Sequence, residues 1–194
     1  MERQLFMIKR ARILRGTTLL LTPAFLLITL VPAVALRAEP QSSNIGVNGF
    51  FFSDKAQRGS TVQAAIVLDI PGGYHVNSNR PVSKYAIATV VKVTAPNGVR
   101  VSPVSYPRAK VRRLKASNNE PFPVFEGRAV MRFTVTIPAN FEGIAELRAS
   151  VRYQSCNDEV CFPPETRQIS MPIGVVGTTD SVKRINENIF GGRR

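Results

Sequence analysis

Ser60-Thr61-Val62-Gln63-Ala64-Ala65-Ile66-Val67-Leu68-Asp69-Ile70 is the stretch that decides the fold. Val62, Ala64, Ile66, Leu68 and Ile70 stand at every second position, the period of a strand that buries one face. Pro71-Gly72-Gly73 ends it. Upstream, Ile45 to Phe52 reads as a short strand with Phe50, Phe51 and Phe52 as apolar bulk, and Asp54 to Gly59 as the turn between the two. Downstream, Tyr74-His75-Val76-Asn77 resumes an extended path and Asn79-Arg80-Pro81 breaks it. Tyr85 to Thr94 reads as a further strand; Pro96-Asn97-Gly98 is a turn in which Gly supplies the positive φ. Val99 to Tyr106 contains Pro103, which lacks an N–H and suits a sheet edge. Arg108 to Pro123 is polar, basic and irregular. Ala129 to Ile137 alternates through Val130, Phe133, Val135 and Ile137, with Met131 out of phase. Ala145 to Tyr153 and Thr166 to Ile173 complete the set. Seven to eight short antiparallel strands with turns at regular intervals predict an all-β sandwich.

Between the last two strands lies Tyr153-Gln154-Ser155-Cys156-Asn157-Asp158-Glu159-Val160-Cys161-Phe162-Pro163-Pro164-Glu165-Thr166, which holds both cysteines of the chain. Fully extended, the five steps between them would span roughly 17 Å, whereas a disulfide needs its Cα atoms within roughly 4.4–6.8 Å. The cysteines can therefore pair only if the chain doubles back. Asn157 and Asp158 favour such a turn, because their short side chains bond their own backbone. The reading is a hairpin-like turn with one cysteine on each arm. Pro163 and Pro164 place that arm at a sheet edge or outside the ladder. The closed loop is short, and chain entropy assigns its bridge only about 2 kcal/mol. Chemistry alone leaves two readings open, a structural staple and a redox-active pair.

The chain has 194 residues, enough for one domain with appendages. Residues 1–38 read as an export signal or, if uncleaved, an anchor: a basic start is followed by an almost wholly apolar run, Thr17 to Val34. Residues 39–174 form the expected domain. Residues 175–194 form a polar tail in which Val182, Ile185 and Ile189 are spaced for a short helix, though a disordered tail is preferred. Export places the cysteines where thiols pair. The signal region holds six of the 26 basic and one of the 13 acidic residues, leaving 20 and 12, a net +8. That charge serves solubility or, on a sharper reading, attraction to anionic lipid or an acidic protein; nucleic acid is not an expected partner of an exported chain. Two cysteines and one histidine argue against a metal site, and no cofactor is expected. No Ser-His-Asp arrangement or phosphate loop stands out.

Tyr153-Gln154-x-Cys156, the acidic turn and Cys161-Phe162-Pro163-Pro164-Glu165-Thr166 resemble the N-terminal periplasmic domain of the bacterial thiol:disulfide interchange protein DsbD. Gly73-Tyr74-His75 and Val124-Phe125-Glu126-Gly127 resemble segments of the same family. The resemblance implies an immunoglobulin-like sandwich whose pair, Cys156 and Cys161, cycles between disulfide and dithiol. It implies periplasmic thioredoxin-like proteins as partners and, because no membrane domain follows, a separate membrane electron carrier as donor. The rival reading is a non-catalytic β-sandwich binding module with a structural disulfide. Two departures stand out. Four residues separate the cysteines, one fewer than in the best-known members. The family's aromatic cap falls near Ser117-Asn118-Asn119, where no aromatic stands; Phe122 or Phe125 is the substitute on offer.

Asp158, Glu159 and Glu165 lie close to the pair in sequence, and nearby carboxylates disfavour a thiolate. The alternative is a solvated turn. Tyr153 and Phe162 flank the pair and are expected to pack against it; ordinary core is the alternative for both, and the commoner role for Tyr153. His75 is the only histidine; a satisfied strand histidine is the commoner role, a base the rarer one. Arg108, Lys110, Arg112, Arg113 and Lys115 make a basic segment, a docking patch or a solvated face. Within the pair, the Pro-rich arm leaves Cys161 easier to approach, and the resemblance points the same way. Cys161 is therefore expected to form the mixed disulfide and Cys156 to resolve it.

Overall fold

Alternating burial builds the frame. The computed structural model describes residues 44–83, 86–113 and 120–191. Strands β1 (Gly46–Phe51), β3 (Thr61–Asp69), β9 (Arg128–Thr136) and β6 (Arg100–Val101) form one sheet in the order β1-β3-β9-β6. A second sheet runs β2-β12-β10-β5, from β2 (Lys55–Gln57), β12 (Glu165–Val176), β10 (Gly143–Tyr153) and β5 (Val90–Thr94). Neighbours are antiparallel except β2, which runs parallel to β12. The predicted face of β3, Val62 to Ile70, meets Leu147, Ala149, Val151 and Met171 of the other sheet in one core. The sheets approach closely at Gly49, where a Cβ would stand 2.5 Å from the Met171 side chain.

The connectivity is that of an immunoglobulin domain. In chain order β1, β3, β5, β6, β9, β10 and β12 take the places of strands A to G: A-B-E-D in one sheet and C-F-G in the other. β2 adds to the free edge of the last strand. A third sheet, β11-β4-β8-β7, is made from β11 (Ser155–Cys156), β4 (His75–Asn77), β8 (Pro121–Phe125) and β7 (Lys110–Arg113). Every piece of it is cut from a connection between sandwich strands: β3 to β5, β6 to β9, or β10 to β12. The register puts all three connections at one end, since Asp69 pairs with Arg128, Arg152 with Val90, and Tyr153 with Glu165. That is the end from which antibody variable domains present two of their binding loops.

Several local expectations change. Arg108 to Pro123 is not irregular throughout: it contains β7 and the start of β8. β7 is exposed at every position, so it shows no alternation. Pro123 lacks the N–H that would reach Ser78, and the Ser78 carbonyl accepts instead from Thr89 N–H at 3.1 Å. In β9 the core face is Ala129, Met131, Phe133, Val135 and the following Ile137. Val130 faces the other side, so Val130 rather than Met131 is out of phase. The strand predicted over Tyr85 to Thr94 begins only at Val90, and that over Val99 to Tyr106 shrinks to Arg100–Val101, because Pro103 interrupts the ladder before it resumes at the Ser105–Arg132 bridge. The segment after Val176 is laid on the first sheet rather than free. Ile185 N–H donates to Phe52 O at 2.8 Å and Arg132 to Ile189 O at 2.7 Å. Ile189, in the short helix α1 (Glu187–Phe190), packs on Ala65 and Val67. No helix among the described residues is long and apolar enough to cross a membrane. Residues 1–38, Lys115 and the Ser117-Asn118-Asn119 position lie outside the described residues.

Candidate functional site

The cysteine hairpin closes as a two-strand turn. Asn157 N–H donates to Val160 O and Phe162 N–H to Ser155 O, each at 2.9 Å. The Asn157 carboxamide oxygen accepts the N–H groups of Glu159 and Val160 at 2.9 and 2.7 Å, the turn chemistry expected of asparagine. Between these two bonded pairs Cys156 and Cys161 face each other across the ladder, 4.0 Å apart at Cα. Non-hydrogen-bonded positions bring side chains closest in an antiparallel pair. The two sulfurs are joined as a disulfide there.

The two cysteines differ in exposure. Cys156 is 1 % exposed; Cys161 is exposed, followed by the exposed Pro163 and Pro164. The cause is pairing: β11 is laddered on both sides, to the Cys161 arm and to β4, whereas the Cys161 arm has no second strand beside it among the described residues. Val160 is exposed beside Cys161. The half-buried Phe162 ring sits 5.9 Å from that of Tyr74. Gly73, at φ 82°, permits the turn that returns Tyr74 N–H to Pro71 O.

On its other side Cys156 is paired with His75. Directly opposed residues of an antiparallel ladder project to the same face, so His75 and the disulfide share one. His75 is buried, and its Nε2 has no hydrogen-bond partner. Burial lowers its pKa; Glu126 and Asp158 oppose that shift and Arg112 adds to it. Lys110 and Arg112 both bind the Glu126 carboxylate. Burial alone would raise Glu126, but these two cations outweigh it and hold the carboxyl below its usual range. His75, Tyr74, Arg112, Glu126 and Asp158 line one cleft of about 300 Å³ beside the pair.

A second set of polar contacts fixes the hairpin from behind. Asn77 donates to Gln154 Oε1 at 3.1 Å and to Ile87 O at 3.0 Å. Gln154 Nε2 then donates to Phe162 O at 3.2 Å. One side chain thus ties the arm before Cys156 to the arm after Cys161.

The remaining sequence candidates separate. Asp158 joins the cleft. Glu159 is exposed on the turn. Glu165 is turned to Arg167 at 2.8 Å and accepts the Tyr153 hydroxyl at 3.3 Å. Tyr153 is fully buried in the sandwich core; burial raises its pKa against the pull of Arg167. Phe125 is likewise core, and Phe122 lies in β8 opposite Arg112. Of the basic segment, Lys110 and Arg112 are committed to Glu126. Sequence reasoning gave His75 a base role only as the rarer alternative and gave Asn77 and Ser155 no role. The nearness of His75 to Cys156 is a register fact with no local signal.

Residues 49–173, well over half of the chain, match the family described as thiol:disulfide interchange protein DsbD, N-terminal. The chain belongs to this family. Among solved structures, it is similar to the DsbD N-terminal domain of Neisseria meningitidis in the reduced form. That match has 13% identity, covers 76% of this chain and 94% of that one, and has a TM-score of 0.42. The N-terminal periplasmic domain of ScsB from Proteus mirabilis gives 13% identity, 70% and 48% coverage and 0.46. The complex between the DsbD and PilB N-terminal domains from Neisseria meningitidis gives 17%, 62% and 80%, and 0.38. No curated protein matches. The Cys156–Cys161 disulfide stands within the matched residues, in the connection between the last two sandwich strands.

Proposed function

We propose that this domain is an exported thiol–disulfide interchange module in which Cys161 bonds to partners and Cys156 resolves the bond. The observation that carries the reading is the asymmetry of the pair: one sulfur belongs to an exposed arm, the other to a buried strand. Exchange proceeds by attack of a thiolate on a disulfide sulfur through a mixed disulfide, and access governs which sulfur is attacked. Family membership supports thioredoxin-like partners in the periplasm and a membrane electron carrier as donor. Val160, Phe162, Pro163 and Pro164 give the exposed Cys161 an apolar surround on which a partner can dock, with the exposed carboxylates of Asp158 and Glu159 at the turn beside it.

Electrons then move in two steps. The reduced module attacks a partner disulfide through Cys161, and Cys156 displaces the partner's sulfur as the internal disulfide reforms. A dithiol donor reverses the sequence. Single serine variants, expressed in an exporting host and trapped with acid, test the assignment. Cys156→Ser should accumulate a partner-linked species that disappears on reduction, and Cys161→Ser should not. The reverse pattern exchanges the roles, and no adduct in either variant counts against interchange.

A further inference from the structure

We propose that His75 is the proton acceptor for the Cys156 thiol when that thiol resolves a mixed disulfide on Cys161, and its proton donor when the pair is reduced again. The inference rests on the interchange reading and adds a group that it does not contain.

The ladder itself places the three residues in a row. Cys161 faces Cys156 across the hairpin, and Cys156 faces His75 across the β11–β4 pair. Opposed side chains in such a pair have Cβ atoms roughly 4.5–5.5 Å apart, within the combined reach of an imidazole and a thiol. Cys156 is buried, so its proton cannot pass freely to bulk water. His75 is buried too, and its Nε2 is one of three orphaned buried side-chain atoms among the described residues. A buried imidazole nitrogen without a partner is destabilising and is seldom left so without a reason. A thiol formed next to it by reduction is a partner of the right chemistry.

The other ionisable groups around His75 are worse acceptors. Glu126 is held ionised between Lys110 and Arg112, and a carboxylate of lowered pKa is a weak base. Asp158 is exposed at the turn tip. Arg112 is a cation. Burial keeps His75 neutral near pH 7, the form that can take a proton.

The step balances as follows. The imidazole takes the thiol proton of Cys156. The sulfur electron pair forms the Cys156–Cys161 bond, and the Cys161–partner bond breaks with its pair on the departing partner sulfur. The module's two thiols are oxidised and the partner's disulfide is reduced; the proton held by His75 passes to the leaving thiolate or to solvent.

The test is reaction of the reduced protein, free of any histidine tag, with 5,5′-dithiobis(2-nitrobenzoate). The aromatic thiolate appears in two phases, the first from attack by Cys161 and the second from resolution by Cys156. A general base of this kind is worth on the order of 100-fold. In His75→Gln the second phase at pH 7 should therefore slow by at least about tenfold, climb steeply with pH, and approach the native rate in alkali, where the thiolate forms unaided. The first phase should stay within about twofold of native, since Cys161 does not face His75. A second phase with native rate and pH profile overturns the proposal. A native protein that keeps the aromatic label on its thiols instead of rejoining Cys156 to Cys161 removes the interchange reading and this proposal together, so the two failures are distinguishable. The native protein also offers a check that needs no variant. His75 is its only histidine, so its imidazole proton resonance is unambiguous, and its titration midpoint should move when the disulfide is reduced. Identical midpoints in both redox states contradict the proposal.

Discussion

The sandwich and the small sheet at its end are both built almost wholly of antiparallel β, yet the buried polar side chains gather at only one of them. The faces that meet in the sandwich are almost wholly apolar: Ile66, Leu68, Met131, Val135, Leu147 and Val151 are at most 1 % exposed. Buried polar side chains among the described residues are those of His75, Asn77, Ser78, Thr89 and Ser155, which lie in β4 and β11 or in the connections that adjoin them. Among the described residues, all three buried side-chain atoms without a partner belong to His75, Asn77 and Ser155. Proteins break their own packing rules mostly where they do chemistry. The sandwich supplies stability; the end sheet draws on it to hold a polar, incompletely satisfied ladder around a disulfide.

That division sets the order of mutational effects. Leu147→Ala, in the middle of the sandwich, should cost about 2–5 kcal/mol in denaturant unfolding, the largest change of the set. Cys156→Ser/Cys161→Ser should cost only about 2 kcal/mol by loop entropy. It should still unfold cooperatively, because domains commonly hold about 5–15 kcal/mol in reserve. A double-serine protein unfolded at room temperature would reverse the division and make the bridge a staple. The third effect is one of pH. Burial lowers the folded pKa of His75 below its unfolded value near 6.5, so the unfolded chain binds the proton first. Its contribution is fully present above about pH 6.5 and is lost as the pH falls through the folded value. Thermal midpoints should therefore drop on acidification, and the drop should shrink in His75→Gln. The smallest effect has the opposite sign. Ser155→Ala removes a buried hydroxyl that has no partner, so it should be neutral or slightly stabilising; a loss above about 1 kcal/mol would mean that hydroxyl is satisfied.

The same contrast explains what the sequence made legible. β3 could be read because both requirements of a buried strand, period two and apolar content, are local. The turn around Asn157 was equally local, since its carboxamide bonds its own backbone. β9 was misphased because Val130 is apolar on both counts, and what covers it is Ile189, some 59 positions away. β7 and β8 were missed because an exposed edge strand has no alternation and two prolines mimic a loop. Tyr153 and Glu165 were grouped with the cysteines by nearness in sequence, but strand alternation turns Tyr153 into the core and pairs Glu165 with Arg167. His75 and Cys156 lie 81 positions apart and are brought together only by register; no pattern in either segment names the other.

The reduction potential of the pair tests the central claim, that the end sheet carries exchange chemistry while the sandwich carries stability. The measurement is equilibration of the purified domain across a series of glutathione or dithiothreitol redox buffers, with the thiols trapped and counted at each poise. Structural bridges lie below roughly −300 mV and resist the glutathione pool. An interchange pair with one exposed sulfur should lie well above that mark and exchange readily. A value below it, with Cys161 unreactive until the sandwich unfolds, would contradict the assignment and leave Cys156–Cys161 a staple.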